Sequence, residues 1–138
     1  MDIRKILLAV DGSEAANKAA STAASLARLT GAQVLLFTCF PVLEDGTFIE
    51  VGDEVPLRDQ AEKFFEVSRG LLAGAGVTFS AKHSTGDPDR EIVALAEAEG
   101  CDLIVMGSRG LSKVMGLILG SVTKSVVQAA HCSVYVVR

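Results

Sequence analysis

The residues with the clearest chemical use are glycines that have hydroxyl and basic side chains between them. Gly107-Ser108-Arg109-Gly110 is followed, after nine residues, by Gly120-Ser121. Gly107 and Gly110 allow a positive φ and a close approach of the backbone to a ligand, while Ser108 and Arg109 add a hydroxyl and a charge. The spacing predicts a loop that binds an anion. The alternative is a plain β-α loop that needs glycine only for its geometry.

Gly120-Ser121 begins a segment with helical periodicity, which gives a second reason to expect an anion here. The first amides of a helix have no acceptor within the helix, and the helix dipole makes this end positive. Ser121 and Thr123 add hydroxyl donors, and successive loop amides can form a concave nest for a phosphate. The predicted ligand group is therefore a phosphate.

Asp11 is the second candidate for ligand binding. It directly follows the apolar run Ile6–Val10, and a carboxylate at the end of a buried strand can accept hydrogen bonds from both hydroxyls of a ribose. The alternative is that Asp11 caps the helix that follows, which is a frequent task for aspartate. A position across a crevice from Gly107 favours the ribose interpretation.

Strand-like and helix-like apolar patterns alternate along the chain, and they predict where these residues lie. Predicted strands cover 3–10, 33–39, 77–83, 102–106 and 133–137, and predicted helices cover about 13–31, 57–73, 88–99 and 121–130. This order indicates one α/β domain over residues 1–138, with a parallel sheet covered on both faces. Ligands of such sheets bind outside the carboxyl ends of the strands. Asp11 and Gly107 line one crevice if their strands are neighbours.

Composition and charge exclude several classes of protein. The 138 residues are 49% hydrophobic and 22% charged, as in ordinary globular domains and unlike disordered chains. The net charge is −4, only 5% of residues are aromatic, and no basic run is present, so we expect no nucleic-acid partner. The apolar runs are far shorter than the ~20 residues of a membrane span and no secretory signal is recognisable. We therefore expect no membrane partner.

The cysteines and the motifs that the sequence lacks argue against several kinds of binding site and catalytic site. An odd number of cysteines without CxxC spacing predicts reduced thiols in a cytoplasmic protein, inert core positions for Cys101 and Cys132, and no zinc site. The chain lacks the Gly-Lys-Ser/Thr end of a Walker A loop, and it has no GxGxxG or GxSxG motif. Since no clear general base and no paired carboxylates for Mg²⁺ accompany the phosphate loop, we do not expect efficient catalysis.

Several segments resemble the universal stress protein family, and together they span nearly the whole chain. They are Ile6–Ser13, Gly86-Asp87-Pro88, Cys101–Gly110, Gly120–Thr123 and Val134–Val137. The glycine spacing is similar to that of the family's ATP-binding branch. One difference is Ser133, which stands where many relatives have proline at the start of the last strand.

The resemblance implies a Rossmann-like fold with a five-stranded parallel sheet of order 3-2-1-4-5. It also implies a homodimer and an adenine nucleotide ligand (ATP, ADP or AMP), with or without Mg²⁺. Val10 and Asp11 would flank adenine and ribose, and Cys39 would offer backbone groups to adenine. The ribose and phosphates would be held by the residues Gly107, Arg109, Gly110, Gly120, Ser121, Val122 and Thr123. The role of the loop 40–56 as a lid over adenine is left open.

With that strand order, the segment 133–137 lies at a sheet edge. Its apolar, β-prone residues predict pairing with the same strand of a second chain. The leading functional expectation is a stress-response or signalling protein whose ATP occupancy sets its conformation or its choice of partner, with at most slow hydrolysis. A genuine ATPase or nucleotide-α-phosphate transferase is one alternative, and a ligand-free dimeric scaffold is the other.

Overall fold

The β-α alternation of the sequence is present in the computed structural model, which describes residues 2–42, 56–108 and 120–138. Within these ranges the strands are β1 (Lys5–Ala9), β2 (Gln33–Phe40), β3 (Phe79–Thr85), β4 (Leu103–Gly107) and β5 (Ser133–Val137). The helices are α1 (Glu14–Thr30), α2 (Leu57–Gly74), α3 (Pro88–Ala98) and α4 (Ser121–Ala129). The strands form one parallel sheet of order β3-β2-β1-β4-β5. The α/β fold and this strand order are therefore confirmed.

The boundaries of β3 differ most from the expected ones. This strand was expected over 77–83, but it runs from Phe79 to Thr85. The reason is that the preceding residues complete the end of α2. Gly76 has a φ of 70°, and the amide of Val77 donates to the carbonyl of Leu72. Val77 is thereby held by the helix, and the ladder with β2 begins two residues later.

Helix α1 packs close to the sheet because its buried face consists of small side chains. These are Ala16, Ala19, Ala20, Ala23, Ala24 and Ala27. Helices α1 and α2 cover one face of the sheet, and α3 and α4 cover the other. Each large aliphatic side chain buried in these two layers contributes roughly 1.5–3 kcal/mol. None of the helices in the described ranges is both long enough and apolar enough to cross a membrane.

Hydrogen bonds at the amino ends of the strands hold distant parts of the chain together. The carboxylate of Asp102 accepts from the backbone amides of Arg4 (2.8 Å) and Lys5 (3.0 Å), and these bonds lower its pKa. The carboxylate of Glu99 accepts from the ammonium groups of Lys82 and Lys5, which lowers the pKa of Glu99. These contacts connect β1 with β4 and the end of α3 with β3.

Candidate functional site

Asp11 and Gly107 lie at the carboxyl edge of the sheet, where the parallel strands end, because β1 and β4 are neighbours. Their register pairs Ile6 with Leu103 and Leu8 with Val105. The chain continues from β1 to β2 on one side, whereas β4 lies on the other side. This position is therefore the topological switch point, where open α/β sheets bind ligands.

Gly107 is required by packing rather than by its backbone angles. A glycine at this position allows a positive φ, but Gly107 is not among the glycines with positive φ. A Cβ at Gly107 would lie 3.0 Å from the carbonyl carbon and the carbonyl oxygen of Ala15. This distance shows that the first turn of α1 lies against the end of β4. Gly12, in the turn that follows β1, has a positive φ of 82°.

The turn between β1 and α1 orients the carboxylate of Asp11. Ser13 is the N-cap of α1, and its Oγ accepts from the amide of Ala16 at 3.1 Å. The alternative that Asp11 caps this helix is therefore wrong. Instead, Oδ1 of Asp11 accepts from the amide of Ser13 at 3.0 Å. Among the described residues, Oδ2 of Asp11 has no partner, so this half-buried carboxylate keeps an oxygen that can accept from a ligand hydroxyl.

Two hydrogen bonds fasten the start of α4 to the end of β4. The amide of Gly120 donates to the carbonyl of Ser108 at 2.6 Å, and the buried hydroxyl of Thr123 donates to the carbonyl of Gly107 at 2.8 Å. The Thr123 hydroxyl was expected to serve as a donor to a ligand; in this structure that donor is used within the protein, and a role of Thr123 toward a ligand stays a prediction. The amide of Thr123 is the group that remains for an anion.

The first turn of α4 offers amides to an anion without competition from its own side chains. Its first intrahelical bond runs from the amide of Lys124 to the carbonyl of Gly120, so the amides of Ser121, Val122 and Thr123 have no acceptor within the helix. Helix α4 has no side-chain N-cap and no acidic residue in its first turn, whereas α1 has both. The positive end of the α4 dipole is therefore not compensated locally.

Cys39 lies near the carboxyl end of β2, and Val10 immediately follows β1. The thiol of Cys39 donates to the carbonyl of Gly86 at 3.7 Å, and burial raises its pKa to about 11. The amide of buried Val10 donates to the carbonyl of Phe37 at 2.9 Å, which extends the β1–β2 ladder. Cys39 is thus a neutral thiol at pH 7 whose backbone stands at the carboxyl end of β2.

Some of the expected site falls outside the described residues. Arg109 and Gly110 belong to the range 109–119, and most of the expected lid belongs to 43–55. The structure describes the segments on both sides of 109–119. These segments place six of the expected residues at the edge of the sheet where β4 ends: Gly107, Ser108, Gly120, Ser121, Val122 and Thr123. The roles of these residues toward a ligand remain predictions.

Two residues of this edge were missed by sequence reasoning. The ring of Phe64 stacks on Phe40, with 5.6 Å between ring centroids, and its Cδ1 lies 2.5 Å from where a Cβ on Gly12 would be. The apolar periodicity of α2 places Phe64 inward but does not say that it covers the turn next to Asp11. No sequence signal marks Ala15, because its contact with Gly107 depends on how closely α1 approaches the sheet.

The remaining titratable side chains do not form a metal site in the described part of the chain. No group of three or more His, Cys, Asp or Glu side chains is arranged there to hold a metal ion. His131 is exposed, with its Nε2 3.4 Å from a carboxylate oxygen of Glu97, and His83 is exposed on β3. Both histidines therefore lie on the surface.

Comparison with known proteins agrees with this architecture. A sequence profile of the universal stress protein family matches residues 2–138. The universal stress protein in the QAH/OAS sulfhydrylase 3′ region of Thermus aquaticus is 38% identical over 136 residues, which cover 98% of each chain. The universal stress protein YxiE of Bacillus subtilis is 31% identical over 147 residues, covering 97% of this chain and 98% of the relative.

Solved structures show the same likeness. The structure of the hypothetical protein MJ0577 aligns with a TM-score of 0.82 and 28% identity, covering 99% of this chain and 96% of that one. MJ0577 of Methanocaldococcus jannaschii is itself named a universal stress protein. Since the family profile, full-length relatives and the fold all agree, the chain belongs to the universal stress protein family.

Proposed function

We propose that this protein is an ATP-binding member of its family, in which residues 1–138 form one nucleotide-binding domain. Occupancy by ATP, or by ADP or AMP, sets its conformation or its choice of partner during a stress response in the cytoplasm. The observation that carries the proposal is that two anchors for a nucleotide, one for its ribose and one for its phosphates, lie together at the switch point of the sheet. These anchors are the oriented carboxylate of Asp11 and the uncapped start of α4.

The start of α4 supports phosphate binding. Three successive amides, from Ser121 to Thr123, lack intrahelical acceptors at the positive end of a helix dipole. The Gly120–Ser108 and Thr123–Gly107 hydrogen bonds fix this end against β4, so the amides need little reorganisation when an anion binds. In the proposed site Arg109 and Gly110 complete the phosphate contacts together with Gly107 and Ser108.

The other anchor supports recognition of a nucleoside. Oδ1 of Asp11 is held by the amide of Ser13, which leaves Oδ2 to accept from a ribose hydroxyl. Val10 and the backbone of Cys39 stand on the adjacent strands, where an adenine would lie next to the ribose. In the proposed complex the nucleoside lies at the carboxyl ends of β1 and β2, and the phosphates extend along the same edge of the sheet to the start of α4.

Relatives with the same fold support an adenine nucleotide as the ligand class. One universal stress protein was solved in complex with cAMP, with a TM-score of 0.74 to this chain. Another, from Archaeoglobus fulgidus, was solved in complex with dAMP, with a TM-score of 0.73. If Mg²⁺ accompanies ATP, we expect it to be held mainly by phosphate oxygens, as in other nucleotide sites.

Purified protein is expected to retain an adenine nucleotide and to hydrolyse ATP only slowly. The nucleotide is identified by chromatography of the extract from denatured protein, and turnover is measured by phosphate release. A turnover near the enzyme median of ~10 s⁻¹ would support the alternative of a genuine ATPase. Failure to detect bound nucleotide, together with no shift of the melting temperature on adding ATP, would support the ligand-free scaffold.

Replacing Asp11 by alanine is expected to weaken ATP binding by roughly 1–3 kcal/mol, because the variant loses hydrogen bonds to a charged acceptor. Calorimetric titration measures this change. The matched comparison uses 2′,3′-dideoxy-ATP, which lacks both ribose hydroxyls and should bind the wild type more weakly than ATP does. In the Asp11→Ala variant the two ligands should bind equally well. A variant that still discriminates between them would exclude Asp11 as the ribose acceptor.

A further inference from the structure

Two cysteines lie next to each other at the amino edge of the sheet, opposite the proposed nucleotide site. Asp102 separates Cys101 from the start of β4, and Cys132 immediately precedes β5. Since Leu103 is paired with Ser133, Asp102 stands opposite Cys132, and Cys101 stands one residue further back. Neighbouring strands lie ~4.8 Å apart, so residues that lead into two paired strand starts come within reach of the Cα separations that natural disulfides span.

The two side chains also share one face of the sheet. The amide of Cys101 donates to the carbonyl of Ala96 at the end of α3, so Cys101 follows the helix rather than the strand. Cys101 belongs to the core cluster under α3 and α4, and Cys132 packs against that same cluster. Both are free thiols. Burial raises the pKa of Cys101 to about 11, and the neighbouring Cys132 contributes to that shift, as expected for thiols in close proximity.

We infer that Cys101 and Cys132 form an oxidation site at which a peroxide produces a reversible intramolecular disulfide. This differs from the inert core role that their sequence positions predicted. The inference does not depend on nucleotide binding, because neither cysteine lies at the carboxyl edge of the sheet.

The reaction takes place in two steps. The thiolate of Cys132, the more exposed of the two, attacks one oxygen of hydrogen peroxide; the O–O bond breaks, a sulfenic acid forms, and the hydroxide that leaves takes up the proton lost by the thiol to give one water. The thiolate of Cys101 then attacks the sulfenic sulfur, so that the S–S bond forms and the hydroxyl leaves as a second water. In sum, two thiols and one hydrogen peroxide give one disulfide and two waters, and a dithiol reductant reverses the change.

The crosslink affects the region that holds the proposed phosphate site. It closes a loop over residues 102–131, which contains β4 and α4. Restricting a loop of this length in the unfolded chain is expected to raise the melting temperature by about 5–10 °C. Since burial raises the pKa of both thiols, few thiolates exist at pH 7. Oxidation should therefore be slow at pH 7 and accelerate as the pH rises.

The experiment treats the whole protein with hydrogen peroxide, blocks the remaining thiols and maps tryptic peptides without reduction. Trypsin separates the cysteines, because Cys101 falls in the peptide 91–109 and Cys132 in 125–138. We expect these two peptides to be crosslinked, with the loss of two hydrogens, and to be released by dithiothreitol. The variants Cys101→Ser and Cys132→Ser should each lack the crosslink and the rise in melting temperature. The second variant changes only a half-buried side chain, so it tests the proposal even if the first folds poorly.

Cys39→Ser is the matched control. Burial raises the pKa of Cys39 to about 11 as well, but Cys39 lies at the other edge of the sheet, so this variant should form the 91–109 to 125–138 crosslink normally. Three results would overturn the proposal. They are the absence of any crosslink after complete peroxide treatment, a crosslink that involves Cys39, and a disulfide that joins two chains instead of forming within one.

Discussion

Replacing Gly120 by valine is expected to weaken ATP binding at least about 100-fold while the fold is retained. Gly120 is buried at the N-cap of α4, immediately before the amides that we propose bind phosphate. A branched side chain there occupies the space through which an anion approaches these amides. The measurements are calorimetric titration for affinity and thermal melting with and without ATP.

The backbone angles of Gly120 indicate why a larger side chain there would weaken ATP binding. Its φ of −68° and ψ of 161° are ordinary extended values that any residue adopts, so a side chain there does not strain the turn, and steric exclusion of the anion is the reason for the expected loss. Valine is a poorer N-cap than glycine, which should lower stability by roughly 1 kcal/mol. Gly120→Ala should reduce binding in the same direction but less, because its side chain is smaller.

Gly70→Val is the control for introducing a branched residue. Gly70 lies within α2, and a Cβ built there meets no atom within 4 Å. This variant should bind ATP as the wild type does. An ATP-dependent rise in melting temperature of equal size in Gly120→Val and wild type would show that phosphate binds elsewhere.

Replacing Val136 by proline is expected to convert a homodimer into monomers. We propose that β5, at the edge of the sheet, pairs with β5 of a second chain in a two-fold contact. The opposite edge strand, β3, carries the exposed charge of Lys82 and exposed His83, whereas Val134 to Val137 carry no charge. Tyr135 is 46% exposed. The β5 edge is therefore the better candidate for self-association.

The hydrogen-bond pattern shows why Val136 is the informative position. The amide of Ser108 donates to the carbonyl of Val137, so the polar groups of Val137 point toward β4. Because these groups alternate along a parallel strand, those of Val136 point to the open edge. Proline at Val136 thus removes an outward donor and leaves the β4 ladder in place.

Size-exclusion chromatography with light scattering measures the outcome. Wild type at micromolar concentration should have twice the chain mass of 14.4 kDa, and Val136→Pro should have the mass of one chain. Val136→Lys should act in the same direction through like charges across the two-fold axis, whereas Val136→Thr keeps a β-branched residue and should stay dimeric. A monomeric wild type would rule out this interface.

The sequence was most informative where one local signal determines the structure. The start of α1 follows from Ser13 and its end from Gly31, which has a φ of 76°. The strand at 133–137 matches β5 because apolar β-branched residues define it. These features depend on a few neighbouring residues, so a single chain is enough to predict them.

Other features depend on contacts between distant residues and were not predictable. A glycine at 107 was visible, but its contact with Ala15 follows from how closely the alanines of α1 let that helix approach β4. The hydroxyl of Thr123 looked free for a ligand, whereas the end of β4 supplies its acceptor. The proximity of Cys101 and Cys132 required the register of β4 and β5.

The hydrogen bonds from Arg4 and Lys5 to Asp102 join residues that are 98 and 97 positions apart in the chain. During synthesis β1 emerges early, but its second neighbour emerges only after α1, β2, α2, β3 and α3. Such long-range pairing is slow to form compared with local contacts. The central strand of the sheet therefore has one open side for most of the time that the chain is being made. The crevice between β1 and β4 can exist only when that side closes, so a molecule bound across it would stabilise a contact that can form only late in synthesis.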